Sequence, residues 1–197
     1  MPHFYQMLIP SLWLAWLVFW WGLSRTVKTT ERRESVASRL SYTVPVVLGF
    51  VLLWNRSPQI PPFDERFLPA DDWYMWAGIG AALTLFGLLF TVWARVHLGA
   101  NWSGIVTVKR DHTLVTTGPY AIVRHPIYTG LLLAFAGTAL ALGEVRGVLA
   151  IAIATASLWR KLRLEERWMG EQFGDAYERY RSRVPALVPL GSRPNGS

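Results

Sequence analysis

Residues 118–137 read GPYAIVRHPIYTGLLLAFAG. A Gly-Pro turn and an aromatic lead through Arg124-His125-Pro126 into an unbroken apolar run. Proline suits the first turn of a helix, where its missing N–H costs nothing. The run that follows is too apolar for a solvated surface. The stretch therefore reads as the polar mouth of a membrane helix, and the rest of the chain repeats the theme. Of 197 residues 52% are hydrophobic, eleven are Trp and mean hydropathy is +0.24, a composition of the membrane class.

Working outward, apolar runs fall at about 8–23, 42–55, 73–94, 126–143 and 145–159. A helix needs roughly 17–25 residues to cross the hydrocarbon core, so the second and fifth must extend into flanking small and aromatic residues. Backbone polar groups in lipid must be satisfied within the segment, and the alternation of a membrane barrel is absent, so helices are expected. The last two runs are joined by Leu142-Gly143-Glu144, which predicts a tight antiparallel hairpin. Gly78, Gly80, Ala82 and Gly87, and again Gly130, Ala134 and Thr138, offer small faces for close helix packing. Trp20-Trp21, Trp54 and Trp73–Trp76 match interfacial belts. No charged residue is expected to lie buried within a span, so no ion path is evident.

Charge sets the expected orientation. Segments 24–41, 95–125 and the tail after Trp159 carry five, four and eight Lys/Arg, together 17 of the 20; only Arg56, Arg66 and Arg146 lie on the other side. This predicts an outside N-terminus, with the C-terminus and any site on these segments in the cytoplasm. The net charge of +7 fits that topology and anionic lipid, without nucleic acid as a partner. The first run lacks the basic flank and cleavage site of a signal peptide and reads as a retained helix. With no cysteine, disulfides and thiolate chemistry are excluded. His97, His112 and His125 form no close HxxxH or HxxH pair, so no metal site is expected.

The chain divides into residues 1–94, a three-helix membrane scaffold, and 95–197, a connector, a helical hairpin and a charged C-terminal helix. The connector, with a brief extended piece around 105–108, is long enough to suggest function. The tail's VPALVP turns apolar and is expected to fold back toward the bilayer surface. Glu165-Glu166, flanked by Lys161, Arg163 and Arg167, could be no more than a solvated helix face with i,i+4 pairs. Arg124 could simply snorkel to phosphate, leaving Tyr120 and Tyr128 as belt aromatics.

The combination outweighs these readings. HTLVTTGPYAIVRHPIYTG (112–130), followed by LEERWMGEQFGDAYERYRSRVPALVP (164–189), resembles the isoprenylcysteine carboxyl methyltransferase family, part of a wider group of small membrane methyltransferases that includes phospholipid N-methyltransferases. The likeness covers about residues 93–189. It implies an all-α integral membrane fold of five transmembrane helices, with a cytoplasmic S-adenosylmethionine pocket formed by the connector between spans three and four and the C-terminal helix. Carried onto matching positions, cofactor contacts are His112, Thr113, Leu114, Val115, Tyr120, His125, Pro126, Ile127, Tyr128 and Glu165. The turn N–H groups up to Gly118 suit an anion, and Gly118 and Glu166, the neighbour of Glu165, are expected among the cofactor contacts. The family's upstream glutamine is here Thr107, which cannot make the same bidentate contacts.

The family's substrate-binding arginine is replaced by Lys161, which keeps the charge and loses the planar fork. Arg163, Arg160 and Arg124 remain alternative sources of that fork. The implied activity is methyl transfer to the carboxylate of a lipophilic, prenylcysteine-like acceptor. A carboxylate is already ionised at pH 7 and needs no base. A lipid amine is the alternative acceptor, with Glu166 or His125 as base. A nicotinamide-dependent membrane reductase and a non-enzymatic scaffold are the remaining alternatives. The small-residue faces serve internal packing or an oligomer equally well.

Overall fold

The computed structural model describes residues 2–23, 30–54, 61–69, 71–99, 102, 107–109 and 113–189. Its elements are α1 (His3–Leu23), β1 (Thr30–Arg33), α2 (Val36–Trp54), α3 (Trp73–Leu98), β2 (Thr107–Lys109), α4 (Pro119–Ile122), α5 (Pro126–Leu142), α6 (Val145–Phe173) and α7 (Asp175–Arg183). The body is helical, as expected. Among the described residues the extended pairing is a short antiparallel pair of β1 with β2, in register Arg32 to Val108 and Arg33 to Thr107, and an isolated bridge between Arg66 and Glu144. The β1–β2 pair ties the first basic loop to the connector. Residues 107–108 of the expected extended piece lie in β2; 105–106 fall outside the described residues.

Helices α1, α2 and α3 are long and apolar enough to cross a membrane, and α5 is a shorter apolar helix of 17 residues. The protein is an integral membrane protein. The first three helices run longer than the apolar runs alone suggest, because flanking polar residues continue the helical backbone. α6 is one continuous 29-residue helix, apolar to Trp159 and charged beyond it.

The helices pack as neighbours in the order α1, α3, α5, α6, α2. The tightest seam lies between α3 and α5. A Cβ on Gly80 would sit 2.4 Å from the Gly137 carbonyl oxygen, and one on Gly87 would sit 2.5 Å from that of Gly130. Only glycine lets the backbones approach so closely, and such contact is what holds helices together where lipid is as apolar as the side chains. Of the other small residues, Gly78 meets Tyr5 while Ala82 is exposed. Buried hydroxyls in the seam are satisfied from neighbouring helices: Trp13 Nε1 donates to Thr138 Oγ1 at 3.0 Å and Trp16 Nε1 to Thr91 Oγ1 at 2.6 Å. Trp13 packs edge-on against Phe50 of α2 and Phe135 of α5, centroids 5.1 and 5.6 Å apart.

The α5–α6 hairpin turns on Gly143, in the left-handed region (φ 68°, ψ 23°), where a side chain is disfavoured. Residues 63–67 close over this turn. Phe67 N–H donates to the Gly143 carbonyl, and the N–H groups of Val145 and Arg146 donate to Glu65 and Phe63. Among the described residues two charged side chains are buried in helices: Arg146 within the expected span 145–159, contrary to expectation, and Arg95 one residue past the expected span 73–94. Arg146, 7% exposed, pairs with Glu144 at 2.6 Å. Arg95, 1% exposed, donates to the carbonyls of Leu23 and Gly99 and lies over the Trp102 ring. Both sit at helix ends, where backbone carbonyls or a carboxylate compensate them.

Candidate functional site

The polar mouth of α5 and the charged half of α6 face each other. Gly118 takes φ 59° and ψ −131°, a conformation open to glycine, and a Cβ there would also strike the His97 ring at 2.7 Å. That turn starts the single turn of α4 and buries Tyr120. A break at Val123, extended at φ −143° and ψ 150°, then lets Pro126 open α5 in a new direction. On α6, residues 161 and 165 fall one turn apart on one face, so Lys161 and Glu165 point together.

The resulting cluster centres on His125. Its ring stacks parallel on Tyr128, centroids 5.5 Å apart and planes 2° from parallel. Its Nδ1 lies 3.6 Å from Glu165 Oε2 and its Nε2 lies 3.4 Å from Glu166 Oε1. Tyr128 donates its hydroxyl to Glu165 Oε1 at 2.6 Å, and Lys161 Nζ stands 4.0 Å from the same oxygen. Burial alone would lower the pKa of His125. Its bonds to Glu165 and Glu166 and their charges outweigh that, so the protonated ring is favoured. Burial likewise works against the Glu165 carboxylate, yet His125, Lys161 and Tyr128 hold its pKa below the ordinary value. Tyr120 is pushed above the usual phenol range, first by burial and then by the charge of Glu165.

Arg124 meets this cluster at Glu166. Its Nε donates to Glu166 Oε1 at 2.9 Å and its Nη2 donates to the same oxygen; its Nη1 reaches the carbonyls of Arg181 and Val184. Burial would raise Glu166, but the bonds from His125 and Arg124 bring it down to about 2. Arg124 is thus a clamp between the α4–α5 junction, α6 and the tail. The same junction receives the VPALVP segment. Arg124 N–H donates to the Pro185 carbonyl at 2.8 Å and His125 N–H to that of Ala186 at 3.0 Å, while Thr129 Oγ1 donates to Leu187 O. The apolar tail returns to the protein, packing Ala186 and Leu187 against Tyr128, Leu158 and Leu162.

Tyr128, His125, Glu165, Glu166 and Lys161 are therefore brought together, with Pro126 buried behind them and Ile127 packed in the apolar cluster beneath. Tyr120 stacks on the His97 ring, centroids 6.4 Å apart, and His97 Nε2 lies 2.9 Å from Thr117 Oγ1. Leu114 and Val115 are half-buried and Thr113 exposed on the approach to Gly118. Arg163 is not part of the group: two residues from both Lys161 and Glu165, it lies exposed on the opposite face of α6. His112 lies outside the described residues.

Sequence reasoning missed three contributors. Tyr42 of α2 places its ring 5.2 Å from Lys161 Nζ. Tyr180 of α7 donates to the Tyr120 carbonyl at 2.6 Å, its own phenol pushed by burial up to about 12. Tyr177, buried beside Arg124 and Glu166, completes the floor. The Y-x-x-Y spacing of the last two carried a signal, since three residues apart on a short helix puts both on one face.

A family profile described as phospholipid methyltransferase matches residues 75–176, just over half the chain. Over 103 residues the chain is 41% identical to the protein-S-isoprenylcysteine O-methyltransferase of Schizosaccharomyces pombe, covering 49% of this chain and 42% of that protein. It is 30% identical over 131 residues to protein-S-isoprenylcysteine O-methyltransferase B of Arabidopsis thaliana, covering 63% and 65%. The chain thus spans between 42% and 65% of the length of these curated relatives. The solved structure of the eukaryotic intramembrane Ras methyltransferase, isoprenylcysteine carboxyl methyltransferase, superposes with a TM-score of 0.54 at 24% identity. That superposition covers 81% of this chain and 56% of the other, and it speaks to the fold. This chain belongs to the phospholipid methyltransferase family, as a member similar to the isoprenylcysteine methyltransferases.

Proposed function

We propose that the chain is a membrane methyltransferase that uses S-adenosylmethionine to methylate the carboxylate of a lipophilic, prenylcysteine-like acceptor. The observation that carries this reading is the convergence of His125, Tyr128 and Glu165, with Lys161 one turn along α6. The donor set fits the cofactor, which bears an ammonium, a sulfonium and an adenine. Glu165 is a carboxylate held ionised in a mostly buried place, as an ammonium partner must be. Tyr120 and Tyr128 supply faces for a cation or a base. Thr113, Leu114, Val115 and the Gly118 turn, with His112 by resemblance, form the rest of the holding set. When bound, the cofactor supplies the electrophilic methyl group.

The residues of this chain align and desolvate. Lys161, its side chain 12% exposed, orients the acceptor carboxylate, which is ionised at pH 7 and requires no base. Alignment and removal of water from the nucleophile account for the rate. Arg124 holds Glu166, and Arg163 faces the surroundings. An amine acceptor would need a base, and of the two candidates Glu166, brought down to about 2 by His125 and Arg124, is a weak one.

In this reading the chain crosses the bilayer five times, with α5 and the apolar half of α6 as the last two spans. The N-terminus is outside, and the site and C-terminus are cytoplasmic. Residues 1–94 serve as scaffold and 95–197 as the catalytic region. The uneven distribution of Lys/Arg supports that orientation. The test is transfer of labelled methyl from S-adenosylmethionine to N-acetyl-S-farnesylcysteine and, separately, to phosphatidylethanolamine vesicles. The reading expects label on the first, released by alkali as from a methyl ester. Alkali-stable label on the amine alone would overturn it.

A further inference from the structure

Lys161 does not face the cluster alone. Its ammonium lies between two aromatic rings, 5.2 Å from the centroid of Tyr42 and 5.5 Å from that of Tyr128. Both distances fall inside the roughly 6 Å over which a ring face attracts a cation. Tyr128 comes from the mouth of α5, and Tyr42 comes from α2, within the half of the chain read as scaffold. Tyr42 is buried at 4% exposure, and its hydroxyl donates to Glu34 Oε1, which fixes the ring from behind. A lysine ammonium on a four-carbon stem has several rotamers to choose from. Two rings and the i+4 carboxylate of Glu165 reduce that choice.

The apolar cluster of Tyr128, Leu158 and Leu162, with Val46 of α2 and Leu131 of α5 packed against it, begins one turn from Lys161. Val44, Val47, Leu48 and Val51 of α2 are exposed aliphatic side chains. A fixed cation at the border of apolar side chains suits an anionic group at the end of a hydrocarbon chain.

We infer that Tyr42 is a positioning residue for the acceptor: with Tyr128 it holds the Lys161 ammonium at the border of the apolar cluster, and so selects a carboxylate borne on a lipophilic chain. The inference rests on the methyltransferase reading and adds to it a specificity element contributed by α2. Tyr42 acts through its ring on the Lys161 ammonium, while His125 and Tyr128 engage Glu165 directly.

The experiment compares wild type, Tyr42→Leu and Tyr42→Phe in detergent, with N-acetyl-S-farnesylcysteine as acceptor and S-adenosylhomocysteine as binding probe. Tyr42→Leu removes the ring and is expected to raise the acceptor KM about ten-fold. Its kcat and its affinity for S-adenosylhomocysteine are expected to stay within about two-fold of wild type. Tyr42→Phe keeps the ring and returns the KM toward wild type. On a Lys161→Gln background Tyr42→Leu adds nothing further, because its effect passes through the ammonium. An unchanged KM in Tyr42→Leu overturns the inference, as does an equal loss of acceptor and S-adenosylhomocysteine affinity, the mark of a purely structural role. Wild-type protein that fails to bind S-adenosylhomocysteine removes the methyltransferase reading and this inference together.

Discussion

Replacing Glu166 by Gln removes a charge and almost no volume, and the structure sets how much that costs. Arg124 and Glu166 meet with side chains only 8% and 11% exposed, and Arg124 donates from both Nε and Nη2 to one oxygen. The carboxyl falls from 4.5 to about 2 on folding. At about 1.4 kcal/mol per tenfold change, that is worth about 3 kcal/mol at neutral pH. Breaking one side of a buried pair costs about 3–5 kcal/mol, because the remaining guanidinium is left uncompensated. For a chain of this size each kcal/mol moves the midpoint by roughly 2–4 °C, so Glu166→Gln should unfold about 6–12 °C below wild type.

The assay is thermal unfolding in detergent micelles, followed by tryptophan fluorescence. Acid adds a second readout. A carboxylate with a depressed folded pKa stabilises above its unfolded value, and that stability is lost as pH falls through the folded one. The wild type should therefore weaken between about pH 4.5 and about pH 2, and Glu166→Gln should lack that part of the decline. A variant melting with the wild type, or sharing its whole acid limb, would refute the clamp.

The α3–α5 seam predicts that Gly87→Ala, whose Cβ would meet Gly130 O at 2.5 Å, costs about 1–3 kcal/mol in a melt. Gly22→Ala, with nothing within 4 Å, serves as the silent control. Tyr180→Phe removes a 2.6 Å bond to the buried Tyr120 carbonyl and should cost about 1 kcal/mol, a difference read from denaturation midpoints. His125 has its folded pKa raised, so its contribution is complete below about pH 6.5 and is lost as pH rises through the folded value. The wild type should lose stability on the alkaline side of that range, and His125→Gln should flatten that limb of a melting-temperature profile.

What the sequence made legible was what is local. Pro126 opening α5, Gly143 closing the hairpin and the glycines of α3 and α5 all follow from backbone sterics and helical spacing. The placing of Arg163 opposite Lys161 was equally computable from the helix period, and the motif's charge density obscured it. The long-range pairings were not legible. Arg124 and Glu166 are separated by 42 positions, and nothing local distinguishes this pairing from a snorkelling arginine and a solvated glutamate. The return of Pro185 and Ala186 to the N–H groups of Arg124 and His125 satisfies donors ahead of α5, and an apolar tail beside a membrane reads equally well as lipid-seeking. Arg95 escaped because its compensation comes from Leu23 at the far end of α1, a backbone carbonyl with no sequence signature.

In the proposed function Glu165, Tyr128 and His125 together hold one cofactor. Calorimetric titration of wild type and Glu165→Gln with S-adenosylhomocysteine and with NADPH tests it most directly. Wild type should bind S-adenosylhomocysteine and not NADPH, and Glu165→Gln should bind it at least about ten-fold more weakly. Affinity unchanged by Glu165→Gln, or binding of NADPH in place of S-adenosylhomocysteine, would contradict it.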